Sequence, residues 1–127
     1  VALASLALVG AMALPAFATS DTWSATLPSF RNPTNLVTGT KSNSLQTATA
    51  EVTHMGGSYN AMYFFIQKRN SSGTWATVTG SPVGYVGTQI TLPYTTYVST
   101  GNSVLLSGGN NDVTYVNVSA SGNVNFY

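Results

Sequence analysis

Cysteine is absent from this chain, and charge is nearly so. Without cysteine there is no disulfide framework, no thiolate nucleophile and no thiolate metal site. A domain without cysteine has to hold together by its core rather than by staples. Charged residues make up 6% of the sequence, where ordinary soluble proteins carry about 25%. The net charge of +1 leaves no field that would steer nucleic acid or anionic lipid to the surface.

Titratable groups are just as sparse. His54 is the only histidine, and Asp21, Glu51 and Asp112 are the only acids. Paired-carboxylate hydrolysis and His-based proton transfer need partners that this chain hardly supplies. His54 stands at the end of an alternating run, beside the Gly56-Gly57 turn, where an exposed histidine is unremarkable. The segment Asn110-Asn111-Asp112 offers oxygen ligands to Ca²⁺, but one carboxylate is poor provision for a site of six to eight oxygens. A turn explains the same residues. The expectation is a protein that is not an enzyme, with no cofactor and no metal.

Helical periodicity is missing after residue 18. Residues 1–18 (VALASLALVGAMALPAFA) carry no charge and end in Ala16-Phe17-Ala18 with Pro15 just before. That is the h-region of a signal peptide with its A-x-A cleavage site, lacking the basic n-region. The competing reading is a retained membrane anchor or assembly helix, which needs about 20 apolar residues. The expected organisation is a signal peptide over 1–18 and a single secreted domain over 19–127.

What the chain does have is alternation, the mark of half-buried strands. Trp23, Ala25 and Leu27 alternate with Thr22, Ser24 and Thr26 up to Pro28; Ala48, Ala50 and Val52 alternate with Thr47, Thr49 and Glu51. Residues 31–44, polar and holding Pro33 and Gly39, read as a long connection. Residues 61–67 (AMYFFIQ) are apolar on both faces and predict a central strand with Met62, Phe64 and Ile66 on one side. Asn70-Ser71-Ser72-Gly73 is a turn, and Trp75–Val78 returns as its hairpin partner. Val86, Thr88, Ile90 and Leu92 form another run, ended by Pro93. Gly108-Gly109-Asn110-Asn111 reads as the strongest turn in the chain. After it, Val116 to Phe126 alternates without a break, as one long strand or as two split by a bulge at Gly122. This run has no charge and no proline to guard an edge, so strand-edge association is a possibility, with an inner strand favoured. Together the runs predict an immunoglobulin-like β-sandwich of seven or eight antiparallel strands; a jelly roll or small barrel is the alternative.

Aromatic residues are the best candidates for binding, since their faces stack on sugars and anchor interfaces. Trp75, Tyr85, Tyr94 and Tyr97 are the candidate site residues. Trp75 is read first as a core residue and second as a platform. Tyr94 and Tyr97 flank Thr95-Thr96 after Pro93, so at least one should be exposed.

Residues 104–126 (VLLSGGNNDVTYVNVSASGNVNF) and, less so, 24–30 (SATLPSF) resemble a group of small uncharacterised secreted proteins of Gram-positive bacteria, some loosely called bacteriocin-like. The resemblance implies export and a β-sandwich, and supplies no substrate and no site residues. The functional expectation is a non-enzymatic extracellular or cell-surface interaction or structural protein, acting through sheet faces, strand edges and exposed aromatics. A carbohydrate or cell-wall binding module is the second reading, and a secreted bacteriocin-like antagonist the third. Expected partners are other proteins or the chain itself, or a cell-wall polysaccharide; nucleic acid is not expected, nor a membrane once the signal is cleaved.

Overall fold

The computed structural model describes residues 20–127, so the expected signal peptide lies outside the described residues. Nine antiparallel strands form two stacked sheets among these residues, with no helix. The first sheet has the order β1 (Asp21–Leu27), β9 (Val118–Asn125), β3 (Thr47–Met55), β7 (Ile90–Pro93). The second runs β2 (Thr34–Thr40), β8 (Ser103–Asn110), β4 (Ala61–Arg69), and its far edge is shared by β5 (Trp75–Thr77) and β6 (Val83–Tyr85). Strand β5 pairs with the end of β4 and β6 with its start. Between them the Thr79 hydroxyl accepts the Ile66 N–H at 2.9 Å, and the Pro82 carbonyl accepts the Phe64 N–H at 3.0 Å. The two short strands are thus one interrupted edge, which is why nine strands stand where seven or eight were expected.

The antiparallel sandwich is as expected, and the strand order decides between its possible connectivities. In an immunoglobulin-like fold the first two strands pair within one sheet. Here β1 and β2 lie in opposite sheets, and every later connection crosses the sandwich except those along β4, β5 and β6. This is the jelly-roll order, the alternative held beside the immunoglobulin-like one.

Alternation places the core. Met62, Phe64 and Ile66 of β4 are fully buried, and Trp23 of β1 meets Phe64 edge-on, with ring centroids 6.0 Å apart. Strand β9 sends Val118, Ala120, Val124 and the following Phe126 inward. It is paired on both sides, with β1 and β3, so the uncharged C-terminal run is an inner strand and not a free edge. No bulge splits it. The irregularity lies in β3, between Val52 and His54, opposite Gly122 and Ser121. A side chain at Gly122 would begin 2.0 Å from the Glu51 carbonyl and 2.6 Å from the Trp23 ring; only glycine lets the two strands and the indole close there.

Three local expectations change. The long connection over 31–44 contains β2, whose apolar residues do not alternate because a bulge between Asn35 and Val37 breaks the period. The expected turn at Gly108-Gly109-Asn110 is the buried end of β8, and the turn begins at Asn111. Gly109 is there for close approach: a Cβ on it would lie 2.7 Å from the Tyr63 hydroxyl. Finally, Val113, Tyr115 and Val116 belong to the loop between β8 and β9 and are exposed, although the alternation there continues that of the strand.

Candidate functional site: a cleft on the outer face of the second sheet

Since Phe64 and Ile66 face the core, Tyr63, Phe65, Gln67 and Arg69 of β4 face outward. Register carries this face across the sheet: Phe65 opposes Ser107, Gln67 opposes Leu105, and Arg69 opposes Trp75. On the other flank Thr38 opposes Leu105 and Thr40 opposes Ser103. The central strand β8 therefore presents small or short side chains outward (Ser103, Leu105, Ser107, Gly109), with bulk on β4 and β5 and threonines on β2. The result is a cleft with its floor on β8.

The cleft has two adjoining lobes. One, of about 420 Å³, is lined by Asn35, Leu36, Val37, Thr38, Leu105 and Trp75. The other, of about 410 Å³, is lined by Thr38, Gly39, Thr40, Ser103, Arg69 and Trp75. Trp75 and Thr38 are common to both, so the indole stands at the junction. Leu105 is an apolar residue on the outer face, yet only 3% exposed. Hydroxyls, one amide and one guanidinium ring an apolar floor and an aromatic wall. Groups of this kind orient and hold a small polar ligand that also has an apolar face.

Beyond Phe65 the same face continues as a stack. Tyr63 and Phe65 lie nearly parallel, 7° apart with centroids at 6.4 Å, and the Arg31 guanidinium sits 5.6 Å above the Tyr63 ring. The Tyr63 hydroxyl donates to the Arg31 carbonyl. Burial pushes the Tyr63 phenol up, and the Arg31 charge partly opposes the rise. The Ser107 hydroxyl donates to the Asn35 side-chain oxygen at 3.3 Å.

The four candidate aromatics are not brought together. Trp75 lines the cleft as a half-buried outward residue rather than a core one, because it sits across from the outward Arg69. Tyr94 is turned inward: its hydroxyl donates to the Phe126 carbonyl at 3.0 Å, and burial raises its pKa to about 12. Tyr97 is 65% exposed in the connection between β7 and β8 and does not line the cleft. Tyr85 is exposed on β6, at the start of β4. Sequence reasoning missed Arg69, Thr38, Thr40, Ser103 and Leu105. In the sequence Arg69 is simply the second residue of Lys68-Arg69, just before the Asn70–Gly73 turn, and the β2 residues fall within an apparent loop. Asn110 and Asn111, raised as oxygen ligands, use those oxygens within the chain, for the Asp112 N–H and the Arg31 guanidinium.

No protein-family model matches the chain, and no curated protein matches it. Among solved structures it is similar to a mitogen derived from Yersinia pseudotuberculosis, with a TM-score of 0.54 and 13% identity over 87% of this chain and 88% of that one. A looser likeness, TM-score 0.40 and 14% identity, is to the structure of infectious bursal disease virus Gx strain, over 84% of this chain and 30% of that one. At such identities the first likeness shows the fold: an all-β sandwich.

Proposed function

We propose that this protein is a non-enzymatic extracellular binding module that holds a neutral carbohydrate, such as a cell-wall glycan, in the cleft beside Trp75. The observation that carries the reading is the composition of that cleft. A pyranose ring has an apolar face and a rim of hydroxyls. The Trp75 indole matches the face by stacking, while Thr38, Thr40, Ser103 and Asn35 match the hydroxyls. The cleft carries one charged side chain, Arg69, which suits a largely neutral ligand. Export is part of the proposal, supported by the signal-like segment over 1–18 and by the resemblance to small secreted proteins of Gram-positive bacteria.

Retention on insoluble glycans tests it. Peptidoglycan, chitin, cellulose and mannan are the panel, and binding to at least one is expected. Trp75→Ala removes the stacking surface from an edge strand and should weaken retention roughly tenfold, equivalent to about 1.4 kcal/mol, with the fold intact by circular dichroism. Tyr97→Ala, outside the cleft, should leave retention unchanged. A protein held by none of these glycans, or held equally well without Trp75, would remove this reading.

A further inference from the structure

The jelly-roll order gathers four loops at one end of the sandwich: 28–33, 56–60, 86–89 and 111–117. Hydrogen bonds join them there. The Thr114 carbonyl accepts the Phe30 N–H at 2.8 Å, the Asn117 side chain accepts the Ser29 N–H at 3.2 Å, and Tyr59 meets the Thr114 hydroxyl at 2.9 Å. This end exposes Phe30, Tyr85, Val86, Val113, Tyr115 and Val116. Tyr115 is 86% and Val113 70% exposed, so they protrude rather than lie flat. Phe30 and Tyr115 brace each other edge-on at 5.2 Å.

Holding Phe30 there has a conformational cost. Phe30 and Arg31 are consecutive non-glycine residues in the left-handed region, with φ of 62° and 59°. Bulky residues rarely adopt that conformation, and such strain gathers at working sites. The Arg31 backbone is pinned by Tyr63, and its guanidinium donates to the Asn111 side chain at 3.2 Å.

We infer that this end is a docking tip for the interface of a zwitterionic lipid bilayer, entered by loops 28–33 and 111–117. Three features select lipid. First, the apolar groups protrude, Val113 and Tyr115 most of all, as suits pushing between headgroups. Tyrosine beside aliphatic and phenyl groups is the pairing that settles at a membrane–water boundary. Second, the four loops carry two formal charges, Arg31 and Asp112. They complement the phosphate and the ammonium of a zwitterionic headgroup and give anionic lipid no advantage. Third, the Phe30, Asp112 and Val116 N–H groups are already paired within the chain, the last two with the Asn110 and Thr114 side chains. Entry into a low-dielectric layer therefore leaves none of these three groups unsatisfied. The low net charge that argues against lipid steering bears only on electrostatic attraction; the apolar tip is created by loops that are distant in sequence.

The test uses the chain from Thr19, which carries both sheets and the whole described core, so that residues 1–18 add no apolar surface. It is floated with phosphatidylcholine vesicles at low and at high salt. Co-flotation is expected, insensitive to salt, and reduced about tenfold or more in Phe30→Ser/Tyr115→Ser, a variant whose melting should confirm a folded domain. Single Val113→Ser serves if the double variant fails to fold, with a smaller loss expected. No co-flotation, flotation unchanged by these substitutions, or binding confined to anionic vesicles and lost in salt would each overturn the proposal. So would a concentration-dependent oligomer of the wild-type chain that the substitutions abolish without any effect on vesicles, which would make the tip a contact between copies.

Discussion

Lys41 is 1% exposed in a chain with only four basic residues. Its ammonium donates to the carbonyls of Asn43 at 2.7 Å, Tyr127 at 3.1 Å and Leu45, and sits 5.4 Å from the Tyr94 ring centroid. Three donors meet three acceptors, so the charge is tolerated although burial lowers its pKa. Tyr94 is the other half of this cluster. Folded, it keeps its proton to about 12, whereas an unfolded tyrosine releases it near 10. The stabilisation from Tyr94 is therefore complete below about pH 10 and lost as pH rises through about 12. Near-ultraviolet titration of tyrosinate should show a late step near 12 in the wild-type protein that is missing in Tyr94→Phe. Superimposable late steps would mean that Tyr94 is solvated. The loop-like text around Tyr94 hid this role, because nothing in Pro93-Tyr94-Thr95 tells that the ring turns toward Phe126 and Lys41.

Strands were legible where period two runs without interruption, as in β1, β9 and the first half of β3, and β4 was legible as a short run apolar on both faces. They were lost where one residue breaks the count. In β2 the bulge near Leu36 puts adjacent apolar residues together, and a polar stretch with Pro33 and Gly39 then reads as loop. At Gly108-Gly109 the glycines looked like a turn but serve close packing, a distinction that depends on Tyr63, some 45 residues earlier in the sequence. Gly122 is the sharpest case. Gly122→Ala should cost about 1–3 kcal/mol as overpacking, read as a lower denaturant midpoint, because the new methyl meets backbone of β3 and the Trp23 ring. Gly80→Ala is the control: nothing lies within 4 Å of the added methyl there, and its midpoint should stay close to the wild-type value. Equal midpoints for the two variants would show that β3 and β9 are less closely approached than described.

At the scale of the whole molecule, alternation assigns each residue to a face but does not say which strand lies beside which. The fold class followed from the sequence, while the strand order did not. The order matters because it assembles both surfaces of interest. The cleft forms where β2, β8, β4 and β5 lie side by side, and the apolar tip where four loops separated by up to about 80 residues meet. Trp75 and Arg69 stand near the end of the sandwich opposite the tip, so a ligand in the cleft need not compete with a surface met by Phe30 and Tyr115. The two tryptophans allow ligand binding in the cleft to be read directly. Trp23 is buried against Phe64 with no hydrogen-bond partner for its indole N–H, and Trp75 lines the cleft. A ¹⁵N-labelled sample titrated with chitotetraose, cellotetraose and soluble peptidoglycan fragments gives one indole signal for each. The Trp75 indole is expected to show a saturable shift with at least one of these ligands while that of Trp23 stays in place. An unmoved Trp75 signal across the whole series would contradict it.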